Sequence, residues 1–392
     1  MKSILFVAHD PGGANVMKPV IEHYAHQHYA NEHYAHQSDI QSHCLLLGPA
    51  RERITLQSST LQYHDVRTVT TPDFPNELSV EPDDLAALLD NLKPHAVFTA
   101  TSFNSNLERL AVRFANERTI PTFSILDFWS NYAKRFTLDG IVSEPKVLFV
   151  ADGRMKREAE AELPNTKVIV SGNPHLASIA TKYSHARLEA SSQIRSPLSR
   201  IRFFCENIRH YYPDKPVNEF SIMPNLLQSL IDAGFHGEVL IRPHPMESRE
   251  PWEEEIEKYE VGITRSSKRF AAKPAIIVRL DTATFDEVLR DRCAAVGFTS
   301  MALLETASVG IPTFSYQIAV PNDYFWLPFE EYGITRLKDA SDISQLTEPS
   351  SLESSQPVHP QRQSASSLDA IAIIQQNVAQ VLHSSVSFTP SN

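Results

Sequence analysis

The run from Ala295 to Tyr316 leaves this chain the fewest folding options. It opens with the apolar residues Ala295 and Val296, passes through Gly297, Phe298, Thr299 and Ser300, continues as an apolar helix closed by Gly310, and resumes as a strand after Pro312. Strand, helix and strand in such close order make the repeating unit of an open parallel sheet, whose ligands bind at the carboxyl ends of the strands. A helix N-terminus at such an end presents unpaired N–H groups to an anion. Thr299 and Ser300 stand at that N-terminus. Glu305 follows a little more than a turn after Ser300, near the hydroxyl-bearing face, where its carboxylate suits the hydroxyls of a ribose or a sugar. The expectation is a cradle for phosphate and sugar. A plain N-cap with a solvated glutamate fits the same residues.

The pattern recurs upstream. Ser3 to Ala8 is an apolar run that suits a buried parallel strand, and it ends in His9, Asp10, Pro11, Gly12, Gly13, Ala14 and Asn15 before a helical stretch. The two glycines predict a loop that lets a ligand approach the backbone, while the absence of a full GxGxxG fingerprint argues against NAD or FAD. Further strands are expected over Ser42 to Leu47, Ala96 to Ala100, Pro121 to Leu126, Val147 to Ala151 and Val168 to Val170. Polar groups gather where they end: His9 with Asp10, Thr101 with Ser102, and Asp127. Asp10 and Asp127 both qualify by position as a general base toward an acceptor hydroxyl. Either also reads as structural, Asp10 as a turn-former beside Pro11 and Asp127 as an N-cap.

After a polar, serine-rich stretch the strand pattern restarts at Arg200 to Cys205. This divides the chain into a first Rossmann-like domain over 1–178, a linker over 179–195 and a second Rossmann-like domain over 196–340, an α/β fold of two doubly wound sheets. In the second half, Phe220 to Ala233 carries a core stripe of Ile222, Leu226, Leu227, Leu230 and Ile231. Gly237 to Ile241 is a strand ending in Arg242, Pro243, His244 and Pro245. The prolines fix the backbone on both sides of His244 and forbid a helix, holding an imidazole at a strand end where it can donate to a phosphate oxygen. Ala275 to Val278 then leads to Asp281, and Cys293 to Val296 leads back into the cradle.

Three further segments stand apart. Residues 23–37 repeat one pentapeptide, His-Tyr-Ala-His-Gln with a variant, and hold five of the sixteen histidines. A period of five spreads those imidazoles around a helix, so an exposed repeat insert is expected rather than a metal site. Residues 341–367, rich in Ser, Pro and Gln, are expected to be flexible, and 368–384 to form a helix with Ile371, Ile374 and Val378 apolar that returns to the first domain or meets a partner.

The net charge of -11 argues against a nucleic-acid binder that relies on a basic surface. Three cysteines, far apart and without CxxC spacing, suit buried thiols in a reducing compartment. The apolar start is too short for a signal-peptide core and no run approaches a membrane span, which predicts a cytoplasmic protein.

The residues His244-Pro245, Thr299-Ser300, and Glu305 with Ala307, Gly310 and Pro312 resemble the motifs of GT-B glycosyltransferases of bacterial surface polysaccharide synthesis. The branch in question holds sialyltransferase-like, Kdo-transferase-like and teichoic-acid-polymerase-like enzymes, the last using CDP-glycerol. Asp10 to Asn15 resembles the glycine loop of their acceptor domain. The resemblance covers all but the repeat insert and the C-terminal tail. It implies two domains facing a cleft and a transferase that needs no metal and no cofactor beyond a nucleotide-sugar co-substrate. By it, Arg242, His244, Thr299, Ser300 and Glu305 bind the donor, with His244 offsetting leaving-group charge. Gly12, Gly13 and Asn15 line the acceptor side, and Asp10 or Asp127 is the base. The implied partner is a glycan or lipid-linked glycan acceptor, which allows peripheral association with the inner face of the membrane. A nucleotide-sugar 2-epimerase of the same fold, a glycerophosphotransferase and a non-catalytic nucleotide- or sugar-binding protein remain open.

Overall fold

Apolar runs that stop at a polar turn become parallel strands here, because both of their faces are covered by helices. The computed structural model describes residues 2–26, 40–58, 60–71, 74–103, 105–191, 198–211, 213–245, 247–268, 276–318, 320, 330–346 and 367–384. The chain divides into two compact units, Met1–Ser178 with Gln363–Asn392, and Ile179–Arg362.

The first unit runs β1 (Lys2–Ala8), α1 (Pro11–His26), β2 (Ile40–Leu46), α2 (Gly48–Arg53), β3 (Leu61–His64), β4 (Thr68–Thr71), β5 (Phe74–Val80), α3 (Pro82–Leu92), β6 (Ala96–Thr99), α4 (Leu107–Glu117) and β7 (Thr122–Ile125). It continues with β8 (Thr137–Leu138), β9 (Ile141–Val142), β10 (Val147–Val150), α5 (Gly153–Glu162) and β11 (Lys167–Val170), and α6 (Pro174–Ser191) leads out of it. Among the described residues, seven strands form one sheet in the order β11-β10-β7-β6-β1-β2-β3. Every pairing in that sheet is parallel. The first strand is central, and the chain builds outward on one side before crossing to the other, so the order reverses between β1 and β6. In an open sheet that reversal is where a crevice opens. Across β6, β7 and β10, Phe98 stacks on Phe123 at 6.0 Å and on Phe149 at 5.8 Å in the core.

The second unit holds β12 (Arg200–Phe204), α7 (Ile208–Tyr211), α8 (Glu219–Asp232), β13 (Gly237–Arg242), α9 (Glu250–Lys268), β14 (Ile276–Leu280), α10 (Phe285–Arg290), β15 (Ala294–Gly297), α11 (Met301–Ser308), β16 (Thr313–Tyr316) and β17 (Thr335–Leu337). Its sheet runs β14-β13-β12-β15-β16-β17, all parallel, with the reversal between β12 and β15. Both units thus have the Rossmann strand order.

α12 (Ser367–Ser384) belongs to the first unit, where Ile374, Val378 and Leu382 are buried with Ile4 and Phe6. Lys2 Nζ donates to its Leu382 carbonyl at 2.9 Å.

Three expectations change. The repeat does not begin as an exposed insert, since His23–His26 is the last turn of α1 and Tyr24 packs against Phe6 at 5.7 Å. The aromatic of the first copy falls on the apolar face of that helix, which burial rewards. Residues 27–37 lie outside the described residues. The segment expected to be flexible starts inside a 3-10 helix, Ala340–Leu346, because Ile343 and Leu346 are buried in the core of the second unit; 347–366 lie outside the described residues. The glycines after β1 are not a loop but part of the first turn of α1. Among the described residues no helix is long and apolar enough to cross a membrane.

Candidate functional site

At the reversal in the first unit, β1 delivers His9 and Asp10 to the start of α1. His9 Nδ1 lies 2.8 Å from Asp10 Oδ1, and the Phe103 N–H donates to Asp10 Oδ2 at 3.1 Å. Asp10 is therefore held from its own strand and from the loop after β6. The His9 N–H donates to Glu108 Oε1 at 2.8 Å. Glu108 sits in the first turn of α4, 2% exposed, and its carboxyl is pushed up to about 7, first by burial and then by the charge of Asp10.

Asp127, from the loop after β7, comes to the same place. Arg135 Nη1 donates to Asp127 Oδ1 at 3.0 Å and to Thr101 Oγ1 at 2.9 Å, and its guanidinium lies 4.6 Å over the Phe103 ring. The other Asp127 oxygen explains Gly12. A Cβ there would stand 2.1 Å from Asp127 Oδ2, and one on Gly13 would stand 2.8 Å from Ala100 Cβ and 3.1 Å from the Thr101 carbonyl. The two glycines let α1 close on the ends of β6 and β7. Asn15 is set apart, accepting from Arg53 Nη1 at 3.1 Å near the surface.

At the reversal in the second unit, the N–H and hydroxyl groups just before α11 hold a carboxylate of the chain itself. Glu206, just past β12, accepts from the Phe298 N–H at 3.1 Å, from the Thr299 N–H, and from Thr299 Oγ1 at 2.6 Å. Burial pushes the Glu206 carboxyl up to about 7 against the pull of those Thr299 hydrogen bonds. Glu219, fully buried at the start of α8, holds the loop beneath by accepting from the Glu206 N–H at 2.8 Å and the Ile208 N–H at 3.1 Å. Ser300 is the N-cap of α11, its Oγ accepting from the Ala302 N–H at 3.3 Å. Glu305 lies further along α11, partly exposed.

His244 follows β13 at the same edge, partly buried, and burial lowers its pKa from the ordinary 6.5. One strand, β12, separates β13 from β15, which puts the two strand ends roughly 10 Å apart. Arg242 is committed elsewhere: its Nη1 donates to Asp281 Oδ2 at 3.1 Å and to the Ala283 carbonyl at 2.7 Å. Asp281 also receives Arg202 Nη1 at 2.6 Å, and both of those side chains are buried. The Arg242 guanidinium thus serves an internal ion-pair network.

The structure gathers Asp10, Gly12, Gly13 and Asp127 in one unit, and Thr299, Ser300 and His244 along one sheet edge in the other. Sequence reading passed over Glu108, Arg135, Glu206 and Glu219. One signal pointed to Glu206, because it follows β12 as Asp10 follows β1. Glu108 and Glu219 were visible only as acids in the first turn of apolar helices, where a surface reading is the ordinary one. Among the described residues no group of three or more His, Cys, Asp or Glu side chains is placed to hold a metal ion.

The fold is that of the GT-B enzymes, two Rossmann-like parallel-sheet α/β domains. The UDP-GlcNAc 2-epimerase of Neisseria meningitidis, bound to UDP-GlcNAc, matches with a TM-score of 0.58 and 13% identity over 96% of this chain and 100% of its own. The UDP-GlcNAc 2-epimerase of Methanocaldococcus jannaschii matches at 0.57 with 9% identity, over 96% of this chain and 99% of its own. MurG of Acinetobacter baumannii matches at 0.53 with 11% identity, over 96% and 100%. Identities this low speak to the fold alone. No family model matches the sequence, and no curated protein matches it significantly.

Proposed function

We propose that this protein is a glycosyltransferase that uses a nucleotide-activated sugar, working in surface polysaccharide synthesis. The observation that carries the reading is the pair of strand-order reversals, one edged with carboxylates and the other with N–H and hydroxyl donors turned on an anion. The donor diphosphate takes the place of the Glu206 carboxylate on the Phe298 and Thr299 donors, and His244 offsets charge on the leaving phosphate. In the first unit Asp10 or Asp127 takes the proton of the acceptor hydroxyl. We take Asp10 as the base, since both carboxylates accept hydrogen bonds but Asp127 is also ion-paired with the buried Arg135 guanidinium at 3.0 Å. Arg242, bound to Asp281, supports the sheet edge from behind rather than touching the donor. The acceptor is a glycan or a lipid-linked glycan, and the protein works at the cytoplasmic face of the membrane.

A second reading, a nucleotide-sugar 2-epimerase, is favoured by the likeness of the whole chain to two UDP-GlcNAc 2-epimerases and needs no acceptor. A thermal-shift panel of CMP, CDP, UDP, GDP and dTDP identifies the nucleotide, because a ligand of the native state raises the melting temperature by mass action. Incubation with the matching nucleotide sugar alone then separates the readings. The transferase leaves the sugar configuration intact, whereas the epimerase inverts one centre without any acceptor. Failure of every nucleotide to bind would remove both.

A further inference from the structure

The mechanism above leaves one buried acid without a task. Glu108 stands among Leu107, Leu110, Ala111 and Val112 of α4, where burying an ionisable group is costly unless its charge is used. Its Oε1 takes the His9 N–H at 2.8 Å, on the residue that leads into Asp10. The ring of that same His9 lies 2.8 Å from Asp10 Oδ1, and the Phe103 N–H fixes Asp10 Oδ2 at 3.1 Å. The His9 backbone N–H and both carboxylate oxygens of Asp10 are thereby held, and Glu108 anchors the backbone at His9.

The charged and titratable groups that face Glu108 are His9 and Asp10 from the β1–α1 junction and Arg109 beside it on α4, with Arg135 acting on Arg109 in turn. The position in the first turn of α4 favours a negative charge through the helix dipole. We propose that Glu108 is a positioning residue for Asp10, fixing the His9–Asp10 backbone and setting a second carboxylate behind it so that the two act as a coupled pair. The inference rests on the reading of Asp10 as the base. The displacement of Glu108 to about 7, caused by burial and then by Asp10, places its charge change in the neutral range and supports the coupling.

The test needs no substrate. In the full-length chain labelled with carboxyl-13C glutamate, the Glu108 resonance is assigned by its loss in Glu108→Gln and followed by NMR against pH. Asp10→Asn should move the Glu108 midpoint downward, because one like charge is gone. In amide exchange, Glu108→Ala should speed exchange of the His9 N–H by about tenfold, and Glu108→Gln, which keeps an acceptor oxygen, should restore protection. A Glu108 midpoint unmoved by Asp10→Asn overturns the proposal, and that measurement decides alone if Glu108→Ala does not fold. An Asp10→Asn protein that still turns over nucleotide sugar would instead sink the assignment of Asp10 as base, whatever the midpoint does.

Discussion

Replacing Gly12 by Ala sets two effects of opposite sign against each other. In an open helix the change stabilises by about 0.5–1 kcal/mol, because glycine loses more backbone freedom on folding. Here the new Cβ would stand 2.1 Å from Asp127 Oδ2, so the carboxylate must retreat by more than about 1 Å to reach ordinary contact. It cannot do so freely, because Arg135, itself buried, holds the other oxygen at 3.0 Å. Breaking a charge-assisted bond of that kind costs about 1.5–3 kcal/mol. The clash outweighs the propensity, and Gly12→Ala should destabilise by about 1–2 kcal/mol net. Urea denaturation of a double-mutant cycle with Asp127→Ala measures this without assuming a reference. Once the carboxylate is gone, the sign should reverse and Gly12→Ala should stabilise. A stabilising Gly12→Ala in the wild-type background, or equal effects in both backgrounds, would refute the close approach of α1 to Asp127.

Other consequences can be checked separately. Glu108 has a folded-state value near 7 against an ordinary 4.5, so its contribution to stability is full below about pH 4.5 and is lost as pH rises through 7, to a total of about 3 kcal/mol. Glu108→Gln cannot ionise, so its stability relative to wild type in denaturant titrations should climb across that window; a gap independent of pH contradicts the assignment. Glu206 titrates near 7 in the cradle, so affinity for a nucleotide sugar should tighten about tenfold from pH 8 to pH 6 in calorimetry. Glu206→Ala should bind more tightly with no such dependence, and weaker binding by that variant would remove the exchange of carboxylate for phosphate. Asp10→Asn should lower turnover by about 100-fold or more with nucleotide binding intact, read by product release beside a thermal shift. Arg202→Met leaves Asp281 buried with Arg242 as its remaining ion-pair partner and should cost about 3 kcal/mol in chemical denaturation.

The sheet edge that carries these residues in each unit was legible early. Ser3 to Ala8 and Arg200 to Cys205 announce buried parallel strands, and parallel strands bring all their carboxyl ends to one side, so polar residues just past them must share an edge. That reasoning placed Asp10, Asp127, His244 and Thr299 without knowledge of strand order. It failed where a residue's partner comes from a distant strand. Gly12 and Gly13 read as a ligand loop because their neighbours, Asp127 and Ala100, are brought up by β7 and β6 across the sheet. Arg242 read as a donor ligand because nothing near it in sequence announces Asp281, which β14 supplies.

What the sequence by itself determined is therefore the set of elements, since strand and helix periodicity is a local property that burial rewards directly. What only the tertiary structure decided is which charged group meets which. The cradle at Thr299 holds Glu206 because β15 lies beside β12, and Glu108 meets His9 because β6 lies beside β1. Those adjacencies follow from crossover connections across the sheet, and electrostatic partners are chosen by distance in space, which local sequence does not carry.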